Sequence, residues 1–215
     1  MNKKAVVLLS GGLDSATTLY FAKGKGYSCY CLIFDYGQRH SREIQSAKRI
    51  AQSAKCKYEI IKINLPWKGS SLLDFKKAIR HSSGIPSTYV PARNIIFLSF
   101  ALSCAEAMRS KAIFIGANTV DYSGYPDCRP EFYAAFSKAA KLGTKIGVNK
   151  SAIEIFTPLI NKTKSDIIKL GKKLDVPYQL TWSCYAGKGS PCGKCDSCRF
   201  RAKGFKEAGL RDPLC

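Results

Sequence analysis

No run of about 18 apolar residues occurs in the 215-residue sequence, so a membrane-spanning helix is not expected. Acidic residues are scarce. Fifteen Asp and Glu stand against 35 Lys and Arg, a formal net charge of +20. No five basic residues fall in a row, so the charge is spread rather than gathered. Two readings of it stay open: a soluble basic surface, or attraction to nucleic acid, nucleotides or other anions. Internal repeats and low-complexity tracts are also missing. That excludes collagen-like rods and wholesale disorder. The first apolar run covers only residues 5–9, shorter than the roughly 7–15 residues of a signal-peptide core. Cys215 stands last, which is not a prenylation box. The expectation is a cytoplasmic protein with no membrane partner.

What is present is ordinary globular material, with 46% hydrophobic and 23% charged residues. The length allows one large domain, or one domain with a small appendage. Ten cysteines fall into two sets: six are scattered and four cluster near the C-terminus. A secreted disulfide scaffold would be shorter and evenly studded, so the pattern suggests a reducing compartment with one local metal site.

Short β-branched apolar runs alternate with helical periodicity along the chain. Strands are expected at 5–9, 27–34, 58–63, 112–116 and 153–158. Helices are expected at 14–23, 41–55, 91–109, 130–142, 163–174 and 199–208, with Thr163 and Asp166 spaced as a capping box. Residues 64–90 read as a long loop with a short helix at 72–79, and 117–129 as a second loop. Strand–helix alternation predicts an α/β fold: a doubly wound parallel sheet of about five strands with a C-terminal zinc-binding helical tail. The expected division is 1–180 for the α/β domain and 181–215 for the tail.

Ser10-Gly11-Gly12-Leu13-Asp14-Ser15 joins the first strand to the first helix. Ligands of such sheets bind beyond the carboxyl ends of the strands. Glycines admit an anion to the backbone, and the helix N-terminus offers free N–H groups. The loop lacks both the Gly-Lys-Ser/Thr of a Walker A motif and the G-x-G-x-x-G fingerprint. Asp14 would repel a phosphate unless a cation intervenes, which suggests Mg²⁺ bridging. The alternative is an ordinary strand–turn–helix junction. The six residues resemble the pyrophosphate loop of the adenylating PP-loop ATPases, of adenine nucleotide alpha hydrolase-like fold. These enzymes cleave ATP between the α and β phosphates and pass AMP to a substrate oxygen.

Cys184, Cys192, Cys195 and Cys198 are separated by seven, two and two residues. Two C-x-x-C steps bring three thiolates to a point, and Cys184 folds back as the fourth. Four thiolates suit a structural tetrahedral Zn²⁺. An iron–sulfur centre is the alternative, although no proline follows the last cysteine.

Two further loops should meet the same sheet edge. One holds Arg93, suited either to a substrate carboxylate or phosphate or to a surface ion pair. The other, 121–132, gathers Asp121, Tyr122, Tyr125, Arg129 and Glu131. Its aromatic faces and carboxylates could read a guanine-like edge, or its tyrosines could simply pack beneath a turn. The stretches 8–15, 34–40 (FDYGQRH), 88–99 (TYVPARNIIFLS), 121–132 (DYSGYPDCRPEF) and 182–199 resemble the QueC branch of the PP-loop superfamily, in order and over nearly the whole chain. Gly204-Phe205 and Asp212-Pro213 fit as well, while Ala92 stands where glycine is often expected.

That resemblance implies a carbon–nitrogen ligase of queuosine biosynthesis. ATP adenylates 7-carboxy-7-deazaguanine, ammonia gives the amide, and a second ATP carries the amide to the nitrile preQ0. By the same resemblance, Asp14 and Ser15 are catalytic. Leu9, Ser10, Gly11, Gly12, Leu13, Asp14, Ser15, Ala16, Thr17, Thr18 and Leu19 hold the nucleotide, with Phe34 and Tyr36 at its adenine. By position and chemistry rather than by that resemblance, Arg93, Asp121, Tyr122, Tyr125, Arg129 and Glu131 are the candidates to face the small-molecule substrate, while the resemblance implies a homodimer. Nucleic acid is not required. A tRNA-modifying PP-loop enzyme is the rival, favoured by the charge. A non-catalytic zinc-bearing nucleic-acid module would leave the phosphate loop idle.

Overall fold

The computed structural model describes residues 3–38, 42–67, 69–74, 85–120, 124–149, 151–187 and 189–214. Five strands form one sheet: β1 (Lys3–Leu8), β2 (Tyr27–Asp35), β3 (Lys57–Lys62), β4 (Ala112–Phe114) and β5 (Glu154–Phe156). The order is β3-β2-β1-β4-β5, and every pairing is parallel. The order reverses direction at β1, whose loop therefore opens into the crevice between β2 and β4.

The helices are α1 (Leu13–Gly24), α2 (Arg42–Ser53), α3 (Arg93–Ala107), α4 (Pro130–Gly143), α5 (Lys145–Val148), α6 (Lys164–Lys173) and α7 (Asp196–Glu207). β1 shows why both faces are covered. Ala5, Val7 and Leu9 bury against α1, α2 and α6, through Leu19, Ile50, Ile167 and Ile168. The alternate residues Val6 and Leu8 bury on the other face with Leu98 and Ala101 of α3 and Tyr133 of α4. A strand buried on both faces has to read as a continuous apolar run, which residues 5–9 do.

The expected elements stand, with shifted ends. The capping box is formed: Thr163 Oγ1 accepts from Asp166 N, and Asp166 Oδ2 accepts from Thr163 N. α7 begins three residues earlier than its expected start at Arg199, because Cys195 serves as its N-cap and draws Cys198 into the first turn. α5 was not anticipated. It is one turn capped by the Thr144 hydroxyl, too short to show periodicity. The expected helix at 72–79 falls partly outside the described residues, and of its described beginning, 72–74, residues 72 and 73 are in a turn.

α3 corrects a finer expectation. It starts at Arg93 rather than at Pro91, because Ala92 takes the left-handed conformation, φ 53° and ψ 24°. That conformation costs an L-residue about 1–2 kcal/mol. Glycine relieves the strain but loses about 0.5–1 kcal/mol to unfolded-state entropy. Ala92→Gly is therefore expected to stabilise the fold by about 0.5–1 kcal/mol, read from urea unfolding at unchanged m-value. A destabilised variant would contradict the strain.

Candidate active site

The β1–α1 turn is tied by short-range bonds. Ser15 Oγ accepts from Ser10 N (3.2 Å), lies 3.0 Å from Ser10 Oγ and donates to Gly12 O (3.1 Å). Gly11 has φ +85°, and a Cβ there would stand 2.3 Å from the Glu43 carbonyl oxygen, so the turn needs glycine twice over. No side chain caps α1 at Gly12. The first-turn N–H groups thus meet the crevice as a helix N-terminus built for an anion.

Leu9, Ser10, Gly12, Leu13, Asp14 and Ser15 line one pocket. Gly11 is buried behind them. The next turn of α1 is not at the pocket: Ala16, Thr17, Thr18 and Leu19 are fully buried in the core. Thr17 Oγ1 bonds Leu13 O and the Tyr178 hydroxyl, each at 2.9 Å, so it packs α1 against the turn at Tyr178–Leu180. These four followed the loop in sequence but rotate away from it by helical geometry.

Asp14 is held by a residue that sequence reasoning missed. Lys164 Nζ donates to both Asp14 oxygens at 2.8 Å, 150 positions away in sequence. Lys164 is buried at the first position of α6, where the helix dipole already presents positive charge. A buried ammonium there needs an anion, and Asp14 supplies it. The capping box fixed where α6 starts, but nothing in the spacing named the partner.

Across the pocket, Phe34 stacks on Phe97 with centroids 4.0 Å apart, and Tyr36 packs tilted on the same ring at 5.4 Å. Arg93 lines the pocket and donates to the Tyr36 hydroxyl at 3.4 Å. Burial opposes its charge, while Tyr36, Tyr125 and Asp127 hold it protonated. Glu43, on the first turn of α2, also lines the pocket. Burial pushes its carboxyl up to about 7, with Arg93 pulling the other way.

Tyr125 lines the pocket and shares a hydrogen bond with Thr88. Asp127 is structural: its carboxylate accepts from Asn94 N at 3.0 Å, and its carbonyl from Asn94 Nδ2 at 3.1 Å, fastening the loop to α3. The Cys128 thiol forms part of the wall, pushed up to about 11 by burial and Asp127. Arg129 and Glu131 are exposed around the start of α4 and do not line the pocket, because residues 126–128 turn the chain outward before α4 begins. Asp121 and Tyr122 lie outside the described residues.

The tail closes the remaining side. Trp182 N donates to Gly11 O at 2.9 Å, and the Arg42 guanidinium sits 4.1 Å over the Trp182 ring. Arg201 also reaches the pocket wall. It donates to both Asp212 oxygens (2.7 and 2.8 Å), to Thr181 Oγ1 (2.7 Å) and to Tyr178 O (3.2 Å).

The Sγ atoms of Cys184, Cys192, Cys195 and Cys198 lie within 4.8 Å of one another. Cys192 and Cys198 stand 4.0 Å apart, close to the roughly 3.8 Å edge of a tetrahedron with 2.3 Å metal–sulfur bonds. Cys184 Sγ accepts from Ala186 N, Gly187 N and Cys192 N, as a thiolate would. Burial works against ionisation at Cys192, but the backbone N–H groups of Lys194 and Cys195 outweigh it and lower its thiol to about 6. The donor set fits a metal ion.

The strand order and the pocket define a class first: a doubly wound parallel α/β protein with a crevice at the β1 turn and a four-cysteine appendage. Solved structures share that fold. A 4-thiouridine synthetase–RNA complex with bound ATP aligns over 96% of this chain and 50% of its own, at TM-score 0.52 and 16% identity. A predicted subunit of tRNA methyltransferase from Methanocaldococcus jannaschii aligns over 79% and 74%, at TM-score 0.52 and 17% identity.

Within that class, the family model described as queuosine biosynthesis protein QueC matches residues 4–209, and the chain belongs to that family. Similar relatives include proteins named 7-cyano-7-deazaguanine synthase. That of Stutzerimonas stutzeri is 54% identical, covering 98% of this chain and 97% of its own. Those of Saccharophagus degradans (52%; 99% and 97%) and Thermoplasma volcanium (53%; 100% and 91%) are as close.

Arg201→Met would leave the Asp212 carboxylate, 8% exposed, without its bidentate partner. Breaking a buried pair from one side costs about 3–5 kcal/mol. We expect a loss of that size in urea unfolding, and a loss below about 1 kcal/mol would show that the pair does not anchor the tail.

Proposed function

We propose that this chain is a 7-cyano-7-deazaguanine synthase that joins ammonia to 7-carboxy-7-deazaguanine and carries the amide on to the nitrile, at the cost of two ATP. The observation that carries the proposal is identity of 52–54% over nearly the full length to proteins of that name. The pocket supports it. An uncapped helix N-terminus suits the pyrophosphate that leaves when AMP is transferred. Phe34 and Tyr36 offer apolar ring faces for adenine. Arg93, a cation inside an aromatic pocket, suits the substrate carboxylate.

In this reading Ser10, Gly12 and Ser15 bind the leaving pyrophosphate, Asp14 carries Mg²⁺, and Lys164 offsets the charge that builds on the phosphates. The metal's contribution when bound is charge neutralisation. Arg93 orients the carboxylate toward the α-phosphate, and Tyr125 closes over the ring. Most of the rate then comes from positioning and from fixed charges in a partly dry pocket. The four cysteines take Zn²⁺. Held by four cysteines, the ion would act as a staple for residues 181–215 against the domain formed by 1–180.

We place the protein in a reducing cytoplasm, in keeping with the free thiols of its nine described cysteines. We also propose a homodimer, the assembly that the family resemblance implies.

Turnover tests the reading. Zinc-replete protein with Mg²⁺-ATP, ammonium and 7-carboxy-7-deazaguanine should give the nitrile by mass and two AMP per nitrile. Asp14→Ala should lower the rate by about 10²-fold or more. AMP release without nitrile would move the substrate elsewhere, with tRNA next to be tried. No substrate-dependent AMP from folded protein would end the ligase reading.

A further inference from the structure

We propose that Glu43 is the pocket's proton acceptor, taking the protons that nitrogen sheds as the amide and then the nitrile form. The proposal rests on the nitrile-forming reading of the pocket and assigns one of its steps to a residue.

Building a nitrile from ammonia strips nitrogen of all its protons. In the first half, the nitrogen lone pair forms the N–C bond, the C–O bond to AMP breaks with its electrons on AMP, and the ammonium-like nitrogen loses one proton. In the second half, the O-adenylated amide loses N–H protons, the C–O bond to AMP breaks, and the C≡N bond closes. No oxidant or reductant enters. A base must stand in the pocket, and only a group that is partly ionised near neutral pH accepts and returns protons efficiently.

Among the described residues lining the pocket, the other candidates are spoken for. Asp14 is gripped through both oxygens by Lys164. The Cys128 thiol is pushed up to about 11, and burial raises the Tyr36 and Tyr125 hydroxyls. A guanidinium is already protonated and cannot accept a proton, which excludes Arg93 and Arg201, and Arg201 is engaged by Asp212, Thr181 and Tyr178.

Glu43 differs in geometry. It reaches the pocket from the first turn of α2, and its carboxylate makes no hydrogen bond or ion pair with a described residue. Among the described residues, the charged and titratable groups around it are Arg93 from α3 and Tyr36 just past β2, with Tyr125 and Asp127 beyond Arg93. Burial favours the protonated carboxyl and Arg93 favours the carboxylate. The balance near 7 matches the task. Arg93 would thus serve twice, holding the substrate carboxylate and keeping Glu43 ionisable.

The test is steady-state nitrile formation by wild type, Glu43→Gln and Glu43→Asp across pH 5.5–9, with melting curves and ATP binding as controls. The wild type is measured first. If it makes no nitrile, the reaction reading falls and the proton assignment falls with it. If it does, its kcat should rise with pH through about 7 to a plateau, because the carboxylate is the active form. Glu43→Gln should then keep its fold and ATP binding, lose about 10²-fold or more in kcat, and lose that acid limb. Glu43→Asp should recover part of the rate together with an acid limb. A Glu43→Gln enzyme with a raised KM for the deazaguanine but an intact kcat and pH profile would make Glu43 a reader of the ring and overturn the proposal. So would an unchanged enzyme.

Discussion

A buried ammonium at the start of a helix is a charge in the wrong place unless an anion meets it. Lys164 stands there, at the first turn of α6, and Asp14 at the first turn of α1 meets it through both oxygens. Two positive helix ends therefore face one carboxylate, with the unpaired N–H groups of α1 beside it. The pair also sets distance. α6 packs on α1 across 150 residues of chain, and the contact continues through Thr17, Tyr178 and Ile167. Gly116 at the end of β4 completes the seat, because a Cβ there would approach the Asp14 backbone to 3.0 Å. The position of Asp14 is thus defined from three sides before any ligand arrives.

The cysteine tail is coupled to the same place. Trp182 N donates to the Gly11 carbonyl, so the chain that leads to Cys184 is strapped to the turn at 10–15. Arg42 covers Trp182 from α2, one residue from Glu43. Arg201, between α7 and the Asp212 turn, locks the far end of the tail with a buried bidentate pair. Ser183, Tyr185 and Ser197, which stand beside the cysteines in sequence, line the pocket. A metal at the four thiolates would order the wall of the pocket as well as the tail.

The sheet was legible because parallel strands buried on both faces announce themselves as apolar runs, and because Thr163-x-x-Asp166 is a local signal with a local cause. The cysteine cluster was legible for the same reason: three of its four ligands lie within seven residues. In the pocket, the turn at 10–15 was legible from its own chemistry, and Phe34, Tyr36, Arg93 and Tyr125, expected at the same sheet edge, line it too. Lys164 and Glu43 were not legible, since each matters through a tertiary neighbour that spacing does not name. Arg129 and Glu131 erred the other way. Their side chains suit a ring edge, but the turn at 126–128 points them to solvent. Ala16, Thr17, Thr18 and Leu19 show the limit of extending a motif along a helix, because the next turn enters the core.

If the proposed function holds, the nucleotide's phosphates sit at the start of α1, with the Asp14–Lys164 pair beside it. A crystal structure of the protein with Mg²⁺ and a non-hydrolysable ATP analogue tests it most directly. We predict phosphate oxygens within hydrogen-bonding reach of the Gly12, Leu13 and Ser15 N–H groups and the Ser10 hydroxyl, with adenine near Phe34 and Tyr36. Phosphates bound at any other face, with the α1 turn unvisited, would contradict the account.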